Sequence, residues 1–498
     1  MNILKKIKLS KVSLVILFVI VFLAGFLRFK NLSGLHHFTY DQARDALFIK
    51  RIIVDHKFRL IGTQSSIPGL YTPPMYYYLM TPFLFIFNLN PVGIDYATAF
   101  FGLLTVILLY YLLTKFTNDR LLALSLTSLY GFQPSVVYQS RYAWNPNTVP
   151  FFVMLALVSL FQIIKGTKKF RYYGLLFFCL GLIINLHYSG VVFFVSILFL
   201  LLFFFKRLNK KYFFGGIAIF CLELFPLILF DLRHNFVNTK GIINYFLYNP
   251  RNDLPAPPFF VGVFDKYKFL LNLVFPINFN STSGLIFLSV FTLFFISWLF
   301  KSKNEKFKVL GFLFLSSIAL ASLYKRGFFA FYLTFLYPLP FLIIGSLFSR
   351  TKQKRVKRLF MYIFIFLCFV WSLKNFQTSF VQVENNRIGL GEKLRKNSLF
   401  VAEKVAFPFN IASISSDPER FGFNAVDYRY FLETFYKKQA LDWDPIDYQK
   451  APSLYFISEV GEVSFSQMAD IWEVKVFQPS KIAEKWQKDD IILYKLVK

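Results

Sequence analysis

The sequence predicts a polytopic α-helical membrane protein. It should have about eleven transmembrane helices, interfacial helices in the first outer loop, and a small C-terminal α/β domain outside the membrane. Three observations carry this. First, 56% of the 498 residues are hydrophobic and 21% aromatic, with 69 Phe. These residues fall in repeated apolar runs long enough to cross a hydrocarbon core of ~30 Å. Second, the net charge of +29 sits mostly in short loops between those runs, the positive-inside pattern rather than a nucleic-acid signal. Third, composition changes near residue 375: residues 376–498 hold 16 Lys/Arg and 17 Asp/Glu and are nearly neutral.

The first run, Val12 to Leu27, is preceded by Lys5, Lys6, Lys8 and Lys11. No small-x-small cleavage site follows, so it reads as an uncleaved signal anchor. Further spans are expected near 94–114, 121–139, 149–165, 172–186, 190–206, 212–230, 283–300, 308–324, 328–348 and 359–375. A twelfth candidate, Pro74 to Asn88, is short, contains Pro74 and Pro82, and carries three adjacent tyrosines. If it does not cross, the basic loops around Lys115, Lys168, Lys210, Lys303 and Arg355 share one side with the N-terminus. If it crosses, every later loop violates the charge rule. It therefore reads as an interfacial helix with Tyr at headgroup depth. The N-terminus is then cytoplasmic and the C-terminal domain extracytoplasmic, in a multi-pass protein of the cell membrane. The domains by this reading are 1–375 and 376–498.

Four outer segments result: 29–93, 140–148, 231–282 and 376–498. In the first, Ala43, Ala46, Leu47, Ile49, Ile53 and Val54 recur at helical spacing, which predicts an amphipathic helix over 41–57 with its apolar side on the membrane. In the last, strand-like runs occupy Asn410–Ser415, Ser453–Ile457, Trp472–Phe477 and Asp490–Leu496, with a helical pattern over Ala425–Tyr436. Cys179, Cys221 and Cys368 lie in apolar runs and read as small core residues. No Gly-rich phosphate loop, zinc spacing or Gly-x-Ser-x-Gly occurs.

Acids are scarce before residue 376, and two of the ten, Asp41 and Asp45, stand four residues apart just beyond the first span. They share one helix face with Arg44 between them. Asp41 has two readings: a helix N-cap, or a general base that takes a proton from an acceptor hydroxyl. Asp45 reads chiefly as a solvated helical partner. Arg44, Arg141, Arg233, His234, Lys325 and Arg326 fall on the same face. Guanidinium groups there suit a phosphate, although snorkelling to lipid headgroups explains any single one. Asn145 and Asn147 fit either sugar hydrogen bonding or a turn about Pro146. His187 is more often structural than a ligand at such a position. Glu223 lies inside a span.

Tyr40-Asp41-Gln42-Ala43-Arg44-Asp45, then Leu70-Tyr71-Thr72-Pro73-Pro74-Met75-Tyr76-Tyr77-Tyr78-Leu79, then Ser140-Arg141-Tyr142 follow the first span in this order. Over roughly residues 1–350 the chain resembles the C-type integral membrane glycosyltransferases of glycosyltransferase family 39 and its relatives, the protein O-mannosyltransferase and aminoarabinose transferase kind. The resemblance implies a polyprenyl-phosphate sugar donor bound at the outer face. It places the acid/base aspartate at Asp41, has Arg or Lys stabilising the leaving phosphate, and implies inversion at the sugar. Substrate contacts are expected at Arg44, Asp45, Tyr71, Arg141, Asn145, His187, Arg233, His234, Lys325 and Arg326. The acceptor would be lipid, protein or glycan, and membrane lipid a further partner. Two departures remove candidate metal ligands. Asn145 stands where many members carry an acid, and Tyr71-Thr72 precede the Pro where many carry His or Glu-Lys. No metal ligand is assigned, and a divalent metal is the one cofactor the resemblance leaves open. The other function class is a transporter or flippase of a lipid-linked glycan, which would use Glu223.

Overall fold

A backbone in lipid has no hydrogen-bond partner except itself, so apolar runs of this length become helices. The computed structural model describes residues 11–65, 67–248, 257–324, 329–348, 362–363, 365–370, 373–374, 389–417, 420 and 422–498. In chain order the helices are α1 (Lys11–Phe29), α2 (Tyr40–Val54), α3 (Met75–Ile86), α4 (Val92–Thr117), α5 (Arg120–Gly131), α6 (Pro134–Arg141), α7 (Val149–Ile164) and α8 (Phe170–Leu186). There follow α9 (Gly190–Phe203), α10 (Lys210–Arg233), α11 (Val237–Tyr248), α12 (Phe259–Asn272), α13 (Thr282–Lys301), α14 (Glu305–Ala321) and α15 (Leu339–Phe348). Packing separates the chain into two units. One comprises Met1–Lys30, Arg59–Tyr76 and Ala97–Gln382, the other Asn31–Phe58, Tyr77–Tyr96 and Val383–Lys498.

Among the described residues, five helices are long and apolar enough to cross a membrane: α1, α4, Asn145–Ile164, α10 and α13. A sixth results if Ala330–Leu336 and α15, bent by 43°, form one span. Helices α3, α8 and α9 are apolar but shorter. The predicted span 121–139 is broken into α5 and α6, because Pro134 has no N–H to continue the ladder. Of the predicted span 359–375, residues 362–363, 365–370 and 373–374 are described, and they are helical. The chain is thus a multi-pass helical membrane protein.

Loop residues set the helix starts in the first unit. Asp119, Asn209 and Ser281 each accept a backbone N–H of the first turn of α5, α10 and α13. Within the bundle Ser196, on α9, bonds Ser316 and Ser317, on α14, at 2.9 and 3.2 Å, side-chain hydrogen bonding between helices where apolar packing alone gives little preference. Arg28 is fully buried, yet its Nη1 donates to the Ala24 and Gly131 carbonyls at 3.0 and 2.8 Å. It holds the end of α1 on α5.

The second unit holds α2, most of α3 and the C-terminal region. The latter comprises α16 (Leu390–Lys404), β1 (Asn410–Ile414), α17 (Val426–Phe435), α18 (Pro445–Lys450), β2 (Ser453–Ser458), α19 (Phe465–Ala469), α20 (Trp472–Phe477), β3 (Lys481–Lys488) and β4 (Ile491–Val497). The sheet order is β1-β2-β4-β3, with β1 and β2 parallel and the other pairs antiparallel. Its core includes Leu454, Phe456, Met468, Phe477 and Leu496.

Two expectations fail here. Trp472–Phe477 is a helix, not a strand. Its Trp-Glu-Val-Lys-Val-Phe alternation mimics a strand, but Glu473, Val474 and Phe477 are the residues buried, a helical face. The actual strand is β3, whose side chains are nearly all exposed, so no hydrophobic alternation marks it. Nor does the apolar side of α2 rest on the membrane. Ala43, Ala46, Leu47 and Ile49 are fully buried in protein. Phe48 packs on Tyr77 and Trp443, and Phe38, just before the helix, packs on Tyr430 and Phe431 of α17. Lys50 and Arg51 of α2 pair with Glu433 of α17 at 2.8 and 3.1 Å, all three buried. Tyr76 and Tyr77 of α3 are likewise buried, at 5% and 3% exposure.

Candidate active site

Helix α2 starts at Thr39, whose backbone N–H donates to Gln42 Oε1 at 3.1 Å. Thr39, not Asp41, is the N-cap, so the capping reading of Asp41 falls away. Asp41 lies in the first turn with its side chain 37% exposed. Arg44 Nη1 donates to its Oδ1 at 2.6 Å. The same guanidinium donates from Nε and Nη2 to Asp45 Oδ1 at 3.1 and 3.0 Å. Tyr77 hydroxyl donates to that oxygen at 3.3 Å. One cation thus bridges two carboxylates, one wet and one buried.

Their environments differ accordingly. Burial pushes the Asp45 carboxyl up to about 6, although Arg44 pulls it down. The two carboxylates hold the Arg44 guanidinium charged, well above its ordinary range, against the cost of its burial. Asp45 and Tyr77 therefore fix Arg44, and Arg44 fixes one oxygen of Asp41. A resident metal does not fit this arrangement, because the guanidinium already occupies the place between the carboxylates where a cation would sit. Among the described residues no group of three or more His, Cys, Asp or Glu converges.

Behind α2 lies a further set that the sequence did not single out. His36 Nδ1 contacts Asp95 Oδ2, and Gln42 Nε2 donates to Asp95 Oδ1 at 3.4 Å. His36, Gln42 and Asp95 are all buried, and they tie the α2 N-terminus to the start of α4. A buried acid in an acid-poor chain was the available signal.

The remaining predicted residues belong to the first unit. Tyr71, Tyr188 and the end of α10 come together there, whereas the His187 ring lies against Phe331 and Tyr332. Tyr188 hydroxyl donates to the Tyr71 carbonyl at 2.5 Å, the Tyr71 N–H donates to Asn238 Oδ1 at 2.6 Å, and the Tyr71 ring packs edge-on against Phe230. This needs the 62–72 loop to approach α11 closely. A Cβ at Gly241 would meet the Gly69 carbonyl carbon at 2.9 Å. Asp231 accepts from the Asn238 and Thr239 N–H groups at 2.7 and 3.2 Å and so caps α11. His234 stacks on Phe230 with centroids 4.0 Å apart, and Arg233 beside it is exposed.

Asn145 Nδ2 donates to the Leu186 carbonyl at 2.6 Å, closing the end of α8. Next to it, burial pushes the His187 imidazole down to about 4. Its Nδ1 accepts the Ser189 N–H at 3.3 Å, so the neutral ring carries its proton on Nε2. Arg141 Nη1 donates to the Leu27 and Lys30 carbonyls at 2.7 and 2.8 Å and so caps the end of α1. Lys325 and Arg326 lie outside the described residues. Lys266 of α12 is a buried cation the sequence reading passed over. The run Asp265-Lys266-Tyr267-Lys268 was its signal.

Residues 71–230 match the family model described as dolichyl-phosphate-mannose-protein mannosyltransferase. The fold superposes on ArnT from Cupriavidus metallidurans bound to undecaprenyl phosphate with a TM-score of 0.60 and 11% identity, covering 98% of each chain. The chain resembles the C-type membrane glycosyltransferases. Apo ArnT from the same organism gives a TM-score of 0.58 at 10% identity, over 97% of each chain. The Archaeoglobus fulgidus oligosaccharyltransferase in complex with Zn and sulfate gives 0.50 at 13%, over 85% of this chain and 62% of that one. No curated protein matches the sequence. At these identities it is the C-type fold that is shared.

Proposed function

We propose that this protein transfers a sugar from a polyprenyl-phosphate donor to an acceptor hydroxyl at the outer face of the cytoplasmic membrane, with Asp41 as general base. The observation that carries the reading is the Asp41 carboxylate. It is 37% exposed, held through one oxygen by Arg44, and released from helix capping by Thr39. A C-type fold whose neighbour was crystallised with undecaprenyl phosphate supports the donor class.

In this reading Asp41 takes the proton of the acceptor hydroxyl as its oxygen attacks the anomeric carbon. The bond from that carbon to the phosphate oxygen breaks, and the polyprenyl phosphate leaves with the electron pair. Attack opposite the leaving group inverts the sugar. Arg44 holds the carboxylate in place. Arg233, Lys325 and Arg326 are the cations proposed for the departing phosphate, with Tyr71, His187 and His234 lining the donor site. Asp45 keeps Arg44 oriented. Arg141 and Asn145 close helix ends. The topology proposed is the eleven-span arrangement with a cytoplasmic N-terminus and an outer domain over 376–498.

The test is Asp41→Asn in the purified full-length protein with undecaprenyl-phosphate mannose as donor. Sugar release and transfer should fall by about 10²–10⁴-fold, with an unchanged thermal midpoint. Full activity removes Asp41 from the mechanism. The flippase reading has one observation of its own: Glu223 Oε2 is buried in α10 without a hydrogen-bond partner. It requires Glu223→Gln, rather than Asp41→Asn, to stop lipid-linked sugar from crossing vesicles.

A further inference from the structure

The segment Gly422–Ala425 precedes α17 in an unusual conformation. Gly422, Asn424 and Ala425 have φ of 68°, 57° and 47°. Glycine accepts this region freely, whereas Asn and especially Ala adopt it at a cost. The surroundings hold the segment at several points. Glu473 accepts the Asn424 N–H at 2.5 Å, Arg429 Nε donates to the Asn424 carbonyl at 2.6 Å, and Tyr448 hydroxyl donates to Asn424 Oδ1 at 3.3 Å. Glu473, Arg429 and Tyr448 are all buried. Strain fixed this firmly persists where the conformation serves a purpose.

Its product is the placement of Phe423. That ring is 53% exposed although its anchors are buried. It meets Tyr40, the residue before Asp41, edge-on with centroids 6.2 Å apart. Asn424 is the next residue in the chain after Phe423. Arg44 Cζ stands 5.6 Å from the Tyr40 centroid. The Tyr40 ring thus has an aromatic ring and a guanidinium beside it, and that guanidinium also holds the part-exposed Asp41 carboxylate. An aromatic surface with a few fixed polar groups beside it takes the apolar face of a sugar ring and orients its hydroxyls.

We propose that Tyr40, Phe423 and Asn424 form the acceptor subsite, and that the acceptor presents a pyranose ring whose hydroxyl is directed at Asp41. This rests on the transferase reading of Asp41. Phe423 belongs to the polar C-terminal region, whereas a donor's polyprenyl chain needs apolar spans, which argues for the acceptor rather than the donor sugar. A glycan acceptor follows, not an unmodified peptide.

The test uses the full-length protein in lipid nanodiscs with maltotriose as ring probe, read by saturation-transfer NMR without turnover. Maltotriose should bind, Phe423→Ala should weaken it about fivefold, and Phe423→Trp should restore it. Asn424→Gly keeps the left-handed backbone available and should also weaken binding. It provides the reading if the alanine variant does not fold. Added undecaprenyl-phosphate mannose should leave the maltotriose signal in place. The proposal is overturned if the variants bind as the parent does, or if the lipid-linked mannose displaces maltotriose, since the ring site is then the donor's. It is equally overturned if a Ser/Thr-rich peptide binds in a Phe423-dependent way and maltotriose does not. Because ring binding is read without catalysis, it can fail while Asp41→Asn still abolishes transfer. An active Asp41→Asn variant, conversely, removes the transferase reading without touching the ring-binding result.

Discussion

Asp45 offers a sign as well as a magnitude. Burial holds its carboxyl at about 6 against an ordinary 3.8, and about two units correspond to ~3 kcal/mol against the charged form. The folded state therefore binds this proton more tightly than the unfolded chain does. Stability contributed by the neutral form is full below about pH 4 and is lost as pH rises through about 6. Asp45→Asn removes the charge but keeps an oxygen to accept from Arg44 and Tyr77, while Arg44 retains Asp41 as its counter-ion. At pH 7.5 the variant should be more stable than the parent by ~1–2 kcal/mol, several degrees in thermal midpoint for a unit of this size. The assay is intrinsic fluorescence on heating, in detergent, across pH 5 to 8. The parent midpoint should fall with rising pH relative to the variant. A variant less stable than the parent at pH 7.5, or two parallel curves, would refute the reasoning. The pairing with Arg44 would then outweigh burial.

Other expectations follow from the same geometry. Glu433→Gln leaves Lys50 and Arg51 buried with half their counter-charge and should cost ~3 kcal/mol, visible as a large drop in thermal midpoint. Arg141→Ala uncaps α1 and should cost ~2 kcal/mol. Donor KM should stay unchanged in the protein that remains folded, which a phosphate-binding role would not allow. Glu223→Gln should leave sugar transfer at the parent rate in the same donor assay. Asp41→Asn remains the decisive variant for the transferase reading.

Much of the layout was legible in the chain itself. Long apolar runs and the charge of short loops are local quantities, and they give a helical membrane protein. Asp41, Arg44 and Asp45 share a helix face by spacing alone, and α17 was readable from the helical pattern over Ala425–Tyr436, although Val426–Glu433 are buried all round. Trp472–Phe477 and β3 were misread for one reason: in a small domain, burial on one face is set by neighbours, not by alternation.

What only tertiary structure decided is the contrast between the two acids of α2. Sequence spacing makes Asp41 and Asp45 equivalent. Tyr77, from a helix more than thirty residues on, buries one of them, and Thr39 frees the other from capping. The surroundings of the first turn of α2 are equally non-local, since Phe423 packs on Tyr40 from nearly four hundred residues away in the chain. A periodic pattern carries the side a residue faces. It carries no record of which distant residue closes over it, and that closure sets the charge, exposure and partners on which chemistry depends.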